Sequence, residues 1–577
     1  MLGRNVDDHF AKTPTPHFPR SRFDMGIHKR LQTQQHGRLY PFYCRMVYPG
    51  DTWQMDLNTF VRMDTSLRVP LDDVYLDTYW FFVPLRILDD NFPKVLGQGE
   101  PSDYDDVSYG LPQTYVNEDI TFDLDCLLPY LGYNQAYVTH PSDDSSNDVP
   151  WQFFYSQSTG NDAITSYAMA AYYKIYNDWF RDENLDPSIP YKDLYNEAFD
   201  SIVTADTDGL WDNFNCLKVN KFHDYFTSGV IAPQKGPAVT IPLGTSAPVG
   251  IIPFSSYAGT NYNYVGSAST SGIAADTFGQ IALGNSSGGS FTSRVGDVIA
   301  DLSKAAGTIN ELRLSFAIQA LYERRGRFGT RYIETIRGQW GIEVPDSFFL
   351  RPEYLGGSRT TLNNVPVLST ENSSQLGQMA GNSATLANSG GFTKTFIEYG
   401  IIIGLSCTRI KHSYTQGKRK ELFGLKDQLD LYNPVFANIG MQPVTRSQIF
   451  NVPDDDTDTE VFNYQEAWSE LRCENDTFAG LFSNYSANSE IKNKWHYGDY
   501  YASKPTFNKE WLKEPTENVN RTLTGQLIAG STGQTATKAE QEISYGGHQY
   551  MFGYYFHPIV TRILPSHSVP VELIGRL

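Results

Sequence analysis

The run DTYWFFVPLRIL, residues 77–88, decides the fold class. It is crowded with aromatic and β-branched side chains and is punctuated by Pro84, the texture of a β-strand. LYPFYCRMVY (39–48) has the same texture and stops at the turn signal Pro49-Gly50-Asp51. Two further runs follow much later, FIEYGIIIGLSCTRI (396–410) and, more weakly, QYMFGYYFHPIVTRI (549–563). Strand-like segments therefore stand near both ends of the chain, with long irregular stretches between them. The pattern predicts a mainly β protein, a sandwich whose sheets close only when both termini are present, with the intervening material as insertions. On this reading residues 39–577 form one sandwich domain. Its insertions are helical at 151–200 and 303–358, and exposed and charge-poor at 244–300.

Two segments carry a helical repeat. In NDAITSYAMAAYYKIYNDWF (161–180), Ile164, Tyr167, Ala168, Ala171, Tyr172, Ile175 and Trp179 predict an amphipathic helix started by Asn161 or Asp162. The second helix opens at TINE, where Thr308 and Glu311 form a capping-box pattern, and runs to Arg325, with Gly326 as its terminator. Just there the chain reads RRGRFGTRYIE (324–334), a local excess of arginine in a protein of net charge −19. Arg324 and Arg325 complement the helix dipole in the last turn. Arg327 and Arg331 lie beyond it and are candidates for phosphate or for a neighbouring subunit.

Residues 1–38 read as an extended N-terminal arm, interrupted by Pro14, Pro16 and Pro19 and without strand or helix periodicity. Arg4, Lys12, Arg20, Arg22, Lys29, Arg30 and Arg38 make the arm mildly basic, and His9, His17, His28 and His36 add donors. Such a segment is either a disordered tail or an arm laid along other subunits or nucleic acid. Residues 244–300 hold only Asp276, Arg294 and Asp297 as charges, with SASTSG and GNSSGGS tracts. Scattered Tyr257, Tyr262, Tyr264, Phe278 and Phe291 distinguish them from a plain linker and predict an ordered, exposed excursion.

Only 19% of the residues are charged while 14% are aromatic, with 37 Tyr and 34 Phe, the composition of a surface largely covered by other chains. Five cysteines, far apart and without a CxxC pair, support neither a disulfide framework nor a zinc site. The start MLGRNVDDHFAK lacks the apolar core of a secretory signal, and no apolar run is long enough to span a membrane, so synthesis in a reducing cytoplasm is expected. The phosphate-cradling, HExxH and dinucleotide motifs are absent, and neither catalytic residues nor a cofactor are assigned. Asp454, Asp455, Asp456 and Asp458 lack the spacing of a calcium loop and read as a solvated acidic stretch rather than a metal site. His223 beside Asp224 is no base-and-orienter pair, because neighbours on a strand point apart.

INELRLSFAIQALYERRGRFGTRYIETIRGQWGIEVPDSFFLRPEYLGGSR (309–359), above all GTRYIE (329–334) and RPEYLGG (351–357), resembles a distinctive block of the Microviridae major capsid proteins. Further blocks agree in the family's order: PGDT (49–52), FFVPLR (81–86), YNDWFRDENL (176–185), HDYFTSGVIAPQKG (223–236), YTQG (414–417), NPVFANIG (433–440), FNYQEAW (462–468) and NRTL (520–523). The likeness is greatest to the gokushovirus branch, whereas PSHSVPVELIGRL (565–577) matches the family ending poorly. The resemblance implies an eight-stranded antiparallel jelly roll with long loop and helical insertions. It implies a T=1 icosahedral virion shell around circular single-stranded DNA, made by a bacteriophage in the host cytoplasm. It implies as partners further copies of the chain, the packaged DNA, a small basic DNA-binding virion protein and a host surface receptor. In that family residues corresponding to 244–300 form a threefold protrusion, which assigns Tyr257, Tyr262, Tyr264 and Phe278 to an exposed attachment surface. Arg20, Arg22, Lys29, Arg30, Arg327 and Arg331 become the candidates for contact with DNA or the basic protein, with Phe23 and Phe328 able to stack on unpaired bases. The competing class is a non-viral β-sandwich that binds or hydrolyses carbohydrate. A free DNA-binding protein is disfavoured by the net acidity.

Overall fold

Val74–Pro84 is a strand, as its texture predicts, in a computed structural model that describes residues 19–98, 110–116, 121–122, 125–133, 153–154, 162–197, 202, 211, 214–239, 249–252, 263–264, 273–275, 281–283, 297–300, 309–343, 345–346, 350–368, 379–388, 390–452, 459–482, 494–523 and 548–567. Two antiparallel sheets surround it. Their strands are β1 (Ser21–Asp24), β2 (His28–Gln35), β3 (Tyr40–Val47), β4 (Thr52–Met63), β5 (Val74–Pro84), β6 (Glu353–Leu362), β7 (Thr385–Asn388), β8 (Phe392–Thr395), β9 (Gly400–Ile410) and β10 (His548–Arg562). One sheet runs β1/β2–β10–β4–β7/β8, with His28 opposite Phe556 and Tyr554 opposite Thr59. The other runs β6–β5–β9–β3, with Ile403 opposite Phe81 on one side and Cys44 on the other.

The side-chain period explains both sheets. Along β4, Trp53, Met55, Leu57, Thr59, Val61 and Met63 are buried while Gln54, Asp56, Asn58, Phe60 and Arg62 are exposed, the alternation of a sheet with one covered face. β5 and β9 are buried along nearly their whole length because both of their faces are covered. Trp80, Phe82, Ile402 and Ile410 enter the core between the sheets with Phe42, Trp53 and Tyr554. Phe81, Val83, Ile401, Ile403 and Leu405 face a second core against the helix α1 (Tyr167–Ile175). At roughly 1.5–3 kcal/mol for each large apolar side chain removed from water, these two layers supply the main stabilisation. Close approach matters too: where β8 begins, a Cβ on Gly391 would collide with the Met55 carbonyl of β4.

The structure corrects several expectations. Residues 21–35 do not form a detached arm, because β1 and β2 pair with the C-terminal β10 inside the first sheet. Their polar sequence hides this, since one sheet face is open and Gln34 on the other donates to Ser406 Oγ (2.8 Å) and Tyr554 Oη (3.0 Å). The helix expected at 161–180 begins only after Ser166, for Asp162–Thr165 pairs as a strand with Gln113–Val116. It is not amphipathic: Tyr167, Met169, Ala170, Ala171, Tyr172, Tyr173 and Ile175 are all buried. Tyr167 and Tyr172 bury their rings and satisfy their hydroxyls: Tyr167 Oη donates to Asp89 at 2.9 Å, and Tyr172 Oη donates to the Leu39 carbonyl and accepts from Leu217 N, both at 2.8 Å. Much of the aromatic content expected at covered surfaces is thus internal.

The region 39–577 is not one unit either. Residues 1–231 with 342–577 form one compact unit and residues 232–341 another. In the smaller unit Val249–Ile252 pairs with Asp297–Ala300 and Asn263–Tyr264, and Ile273–Ala275 pairs with Ile281–Leu283. Helix α2 (Ile309–Phe328) continues through Gly326 and ends at Gly329, whose φ of +84° favours glycine. Arg327 accordingly lies in the last turn of the helix rather than beyond it.

Candidate assembly and nucleic-acid interface

Residues 309–341 carry six arginines, Arg313, Arg324, Arg325, Arg327, Arg331 and Arg337, against three glutamates, Glu311, Glu323 and Glu334. None of the α2 residues is buried, and Arg324, Arg325 and Arg327 are exposed. The Arg325 guanidinium lies 5.8 Å from the Tyr322 ring centre and that of Arg327 lies 5.9 Å from the Phe328 ring centre. Phe328 is itself seated on Gly338, where a Cβ would come within 2.6 Å of the phenylalanine Cβ. Arg331 caps the short helix α3 (Tyr332–Thr335): its backbone N–H donates to Glu334 Oε2 (3.2 Å) and its guanidinium to Glu334 Oε1 (3.3 Å). Segment 234–235 is fastened beside α2, with Lys235 Nζ donating to Thr330 Oγ1 at 2.6 Å and Gln319 Nε2 to Gln234 Oε1 at 2.5 Å. The result is a cationic, aromatic-edged surface on an acidic chain.

The other predicted cations sit in the larger unit. Arg20, Arg22 and Lys29 are exposed. Arg22 and Lys29 share the open face of the first sheet with Phe60, Arg62, Met551 and Tyr555, alongside Asp24 and Asp56. Asp24 is held below the ordinary carboxylate range by the Gly26 N–H and by His557, 3.0 Å away. Arg30 faces the opposite way. Its guanidinium donates to the carbonyls of Pro129 (3.2 Å) and Tyr130 (2.5 Å), so it fastens two parts of the protein together. Phe23, opposite Val560, shares the Arg30 side of the sheet rather than the open face. Tyr264 lies on a strand, while Tyr257, Tyr262 and Phe278, like Asp454, Asp455, Asp456 and Asp458, fall outside the described residues.

A buried ionic cluster escaped sequence reasoning. His412, just after β9, places Nδ1 2.9 Å from Asp499 and Nε2 2.9 Å from Glu514. Lys221 Nζ donates to Asp499 (2.9 Å), and His36, just after β2, faces Glu514 (2.9 Å). Burial alone would lower the His412 pKa, but the Asp499 and Glu514 carboxylates raise it to about 9. Burial opposes ionisation of Glu514, yet His412 and His36 lower its pKa to about 2, and His412 and Lys221 hold Asp499 low in the same way. Two carboxylates thus balance two firm cations. Both His412 ring nitrogens are taken and the ring is sealed from solvent, so the cluster ties distant segments together and has no nitrogen to offer a substrate. No motif spacing announces residues 36, 221, 412, 499 and 514. His223 likewise forms no pair with its neighbour, since Asp224 accepts from Phe226 N (2.8 Å), Thr227 N (2.7 Å) and Tyr414 Oη (2.7 Å). Among the described residues no group of three His, Cys, Asp or Glu side chains is arranged to hold a metal ion, and no helix is long and apolar enough to cross a membrane.

Comparison with known proteins accounts for a chain with large exposed surfaces and an internally tied frame. Residues 11–536 match the family described as "Capsid protein (F protein)". Capsid protein VP1 of Spiroplasma virus 4 is 32% identical over 587 residues, covering 99% of this chain and 98% of that protein. Capsid protein VP1 of Bdellovibrio phage phiMH2K is 32% identical over 537 residues, with 89% and 92% covered. Capsid protein VP1 of Chlamydia phage 1 is 27% identical over 571 residues, again with 89% and 92% covered. This chain therefore belongs to the F-type capsid proteins of the Microviridae, structural proteins of a bacteriophage virion.

Proposed function

We propose that this chain is the major capsid protein of a T=1 icosahedral shell that encloses circular single-stranded DNA, and that its sandwich is an eight-stranded jelly roll. The family match across residues 11–536 carries this reading. The jelly roll is supported by strand order. Counting β1/β2 as one position and β7/β8 as one, the positions in chain order fall as 1-8-3-6 in one sheet and 2-7-4-5 in the other. The insertion 244–300 is read as the part that meets the host surface.

A shell of chains at −19 each repels a packaged strand, so its lining must be locally basic or covered by a second, basic polypeptide. Arg327 and Arg331, with Arg20, Arg22 and Lys29 of the larger unit, are the proposed contacts to phosphate or to a small basic virion protein. Arg30 does not join that set because it lies on the covered face of the sheet, with its guanidinium on the Pro129 and Tyr130 carbonyls. Particles formed by wild type and by Arg327→Gln and Arg331→Gln variants would be compared for shell yield and DNA content. Normal shells with less DNA support the reading. Failure to form shells assigns the arginines to subunit contacts instead, and normal shells with normal DNA refute both roles. Absence of closed particles from the wild type would refute the shell itself.

A further inference from the structure

Between Leu422 and Ile439 the ordinary distribution of polar and apolar side chains is inverted. Leu422, Phe423, Leu429, Leu431, Val435 and Ile439 are all exposed, Phe423 at 72% and Val435 at 83%. Three polar side chains of the same stretch, Asp427, Asp430 and Asn433, are spent on its own backbone. Asp427 Oδ1 accepts from Leu429 N (2.7 Å), Asp430 Oδ2 from Lys426 N (2.8 Å) and Asp427 N (3.2 Å), and Asn433 Oδ1 from Val435 N (3.0 Å). Backbone N–H donors holding the Asp430 carboxylate keep it below its ordinary pKa. The far end is anchored, with Trp468 Nε1 donating to the Phe436 carbonyl (2.9 Å), Ala467 N to the Gly440 carbonyl (2.9 Å), and the Tyr432 ring edge-on to Trp468. At the near end Lys420 is held by Glu470 at 2.7 Å. A segment so tied presents its apolar side chains in a fixed arrangement, which lowers the ordering cost of binding.

We infer that Leu422–Ile439 is a subunit-contact surface whose occupant is a second copy of this chain. The inference rests on the capsid reading and deepens it by naming where neighbours meet. Leu425 and Tyr432 bring the large side chains exposed within this one stretch to eight, beyond the scattered single exposures of a typical monomer surface. One side of a standard protein interface takes about 20–30 residues, so a stretch of this length supplies a large share of one. With Lys420 paired to Glu470, the stretch itself holds Lys426 against Asp427 and Asp430 and so has no excess of positive charge to attract nucleic acid, which favours an apolar protein partner. Symmetric shells bring the same segment of each copy to an equivalent contact, so one apolar stretch is used once per subunit.

The test is covalent footprinting of wild-type particles against dissociated subunits, together with the variants Phe423→Asp and Val435→Asp. Protection of 422–439 in particles supports the inference, as does a loss of subunit association of roughly thirtyfold or more in variants whose free subunit melts as the wild type does. Equal labelling of 422–439 in particles and subunits overturns it, as does a wild-type particle yield from both variants. Protection that arises only when particles bind host cells or a second virion protein also overturns it, because the occupant is then not this chain. Variants too unstable to purify leave the wild-type footprint to decide. Wild-type chains that form no particles refute the shell reading, whereas particles with an unprotected 422–439 refute this surface alone.

Discussion

Replacing His412 by glutamine removes one cation from the sealed cluster and leaves Asp499 with Lys221, Asn518 and Tyr501, and Glu514 with His36 and the Ile410 N–H. Breaking a buried ionic pair by removing one partner costs about 3–5 kcal/mol. An independent route gives a similar size. The His412 pKa is raised from 6.5 to about 9, and about 2.5 units at about 1.4 kcal/mol each is about 3 kcal/mol. The sign follows from the direction of the shift. Stabilisation by the imidazolium is complete below about pH 6.5, the unfolded value, and is lost as pH rises through about 9. Glu514 works in the other sense: its stabilisation is present above 4.5 and is lost as pH falls through about 2. The larger unit, 467 residues from 1–231 and 342–577, unfolds with an entropy of about 1 kcal/mol/K, so His412→Gln should lower its calorimetric midpoint by about 3–5 °C at pH 6. The wild type should lose a comparable amount between pH 6.5 and 9.5 while the variant, lacking the group, should lose much less. Equal midpoints at pH 6, or the same pH slope in both proteins, would refute the assignment of the cluster as a tie.

Two further outcomes follow from other parts of the structure. Asp77, buried in β5, receives Arg359 at 2.6 Å and also Arg409, and the two guanidiniums lie 4.3 and 4.1 Å from the Phe222 ring centre. Asp77→Asn should therefore cost about 3 kcal/mol, near the low end for a buried pair because Arg359 is half exposed and can turn to water, and a denaturant titration of the subunit would measure it. Shortening 258–290 should leave particles intact and reduce host attachment, because the excised stretch lies between Val249–Ile252 and Asp297–Ala300, whose pairing already brings its ends together. Loss of soluble subunits would instead place that stretch in the core.

The readable parts of the fold were those whose partners leave a local imprint. Residues 74–84 and 400–410 needed apolar side chains on both faces, so their strands stood out, and the gap between the terminal runs revealed the closure by β10. β2 left no such imprint: its covered face holds Arg30, Gln32 and Gln34, and Arg30 and Gln34 donate to carbonyls and hydroxyls about 100 to more than 500 positions away. The ionic cluster is the extreme case, since each of its members reads as an ordinary charged residue until the fold brings five segments together. The end of α2 was misplaced for a different reason, for Gly326 is tolerated inside a helix and only the positive φ of Gly329 stops it.

The misread polar strand and the exposed apolar segment are two sides of one rule. A polar residue turned inward implies a partner inside the chain, and Gln34 and His36 each have one. A rigid apolar residue turned outward implies a partner outside it, because water leaves its transfer free energy unspent. Leu422–Ile439 meets the second condition while Asp427, Asp430 and Asn433 bind its own backbone, so its conformation is complete without a neighbour but its burial is not. For a capsid subunit that division is functional. The frame must be stable before assembly, which the His412 cluster and the two cores provide, and the surplus apolar area must remain available until another copy arrives. Destabilising the frame at His412 and charging the surface at Phe423 should therefore separate cleanly. The first should lower the melting temperature of free subunits and leave their contacts unchanged wherever they remain folded. The second should leave the melting temperature unchanged and abolish the contacts.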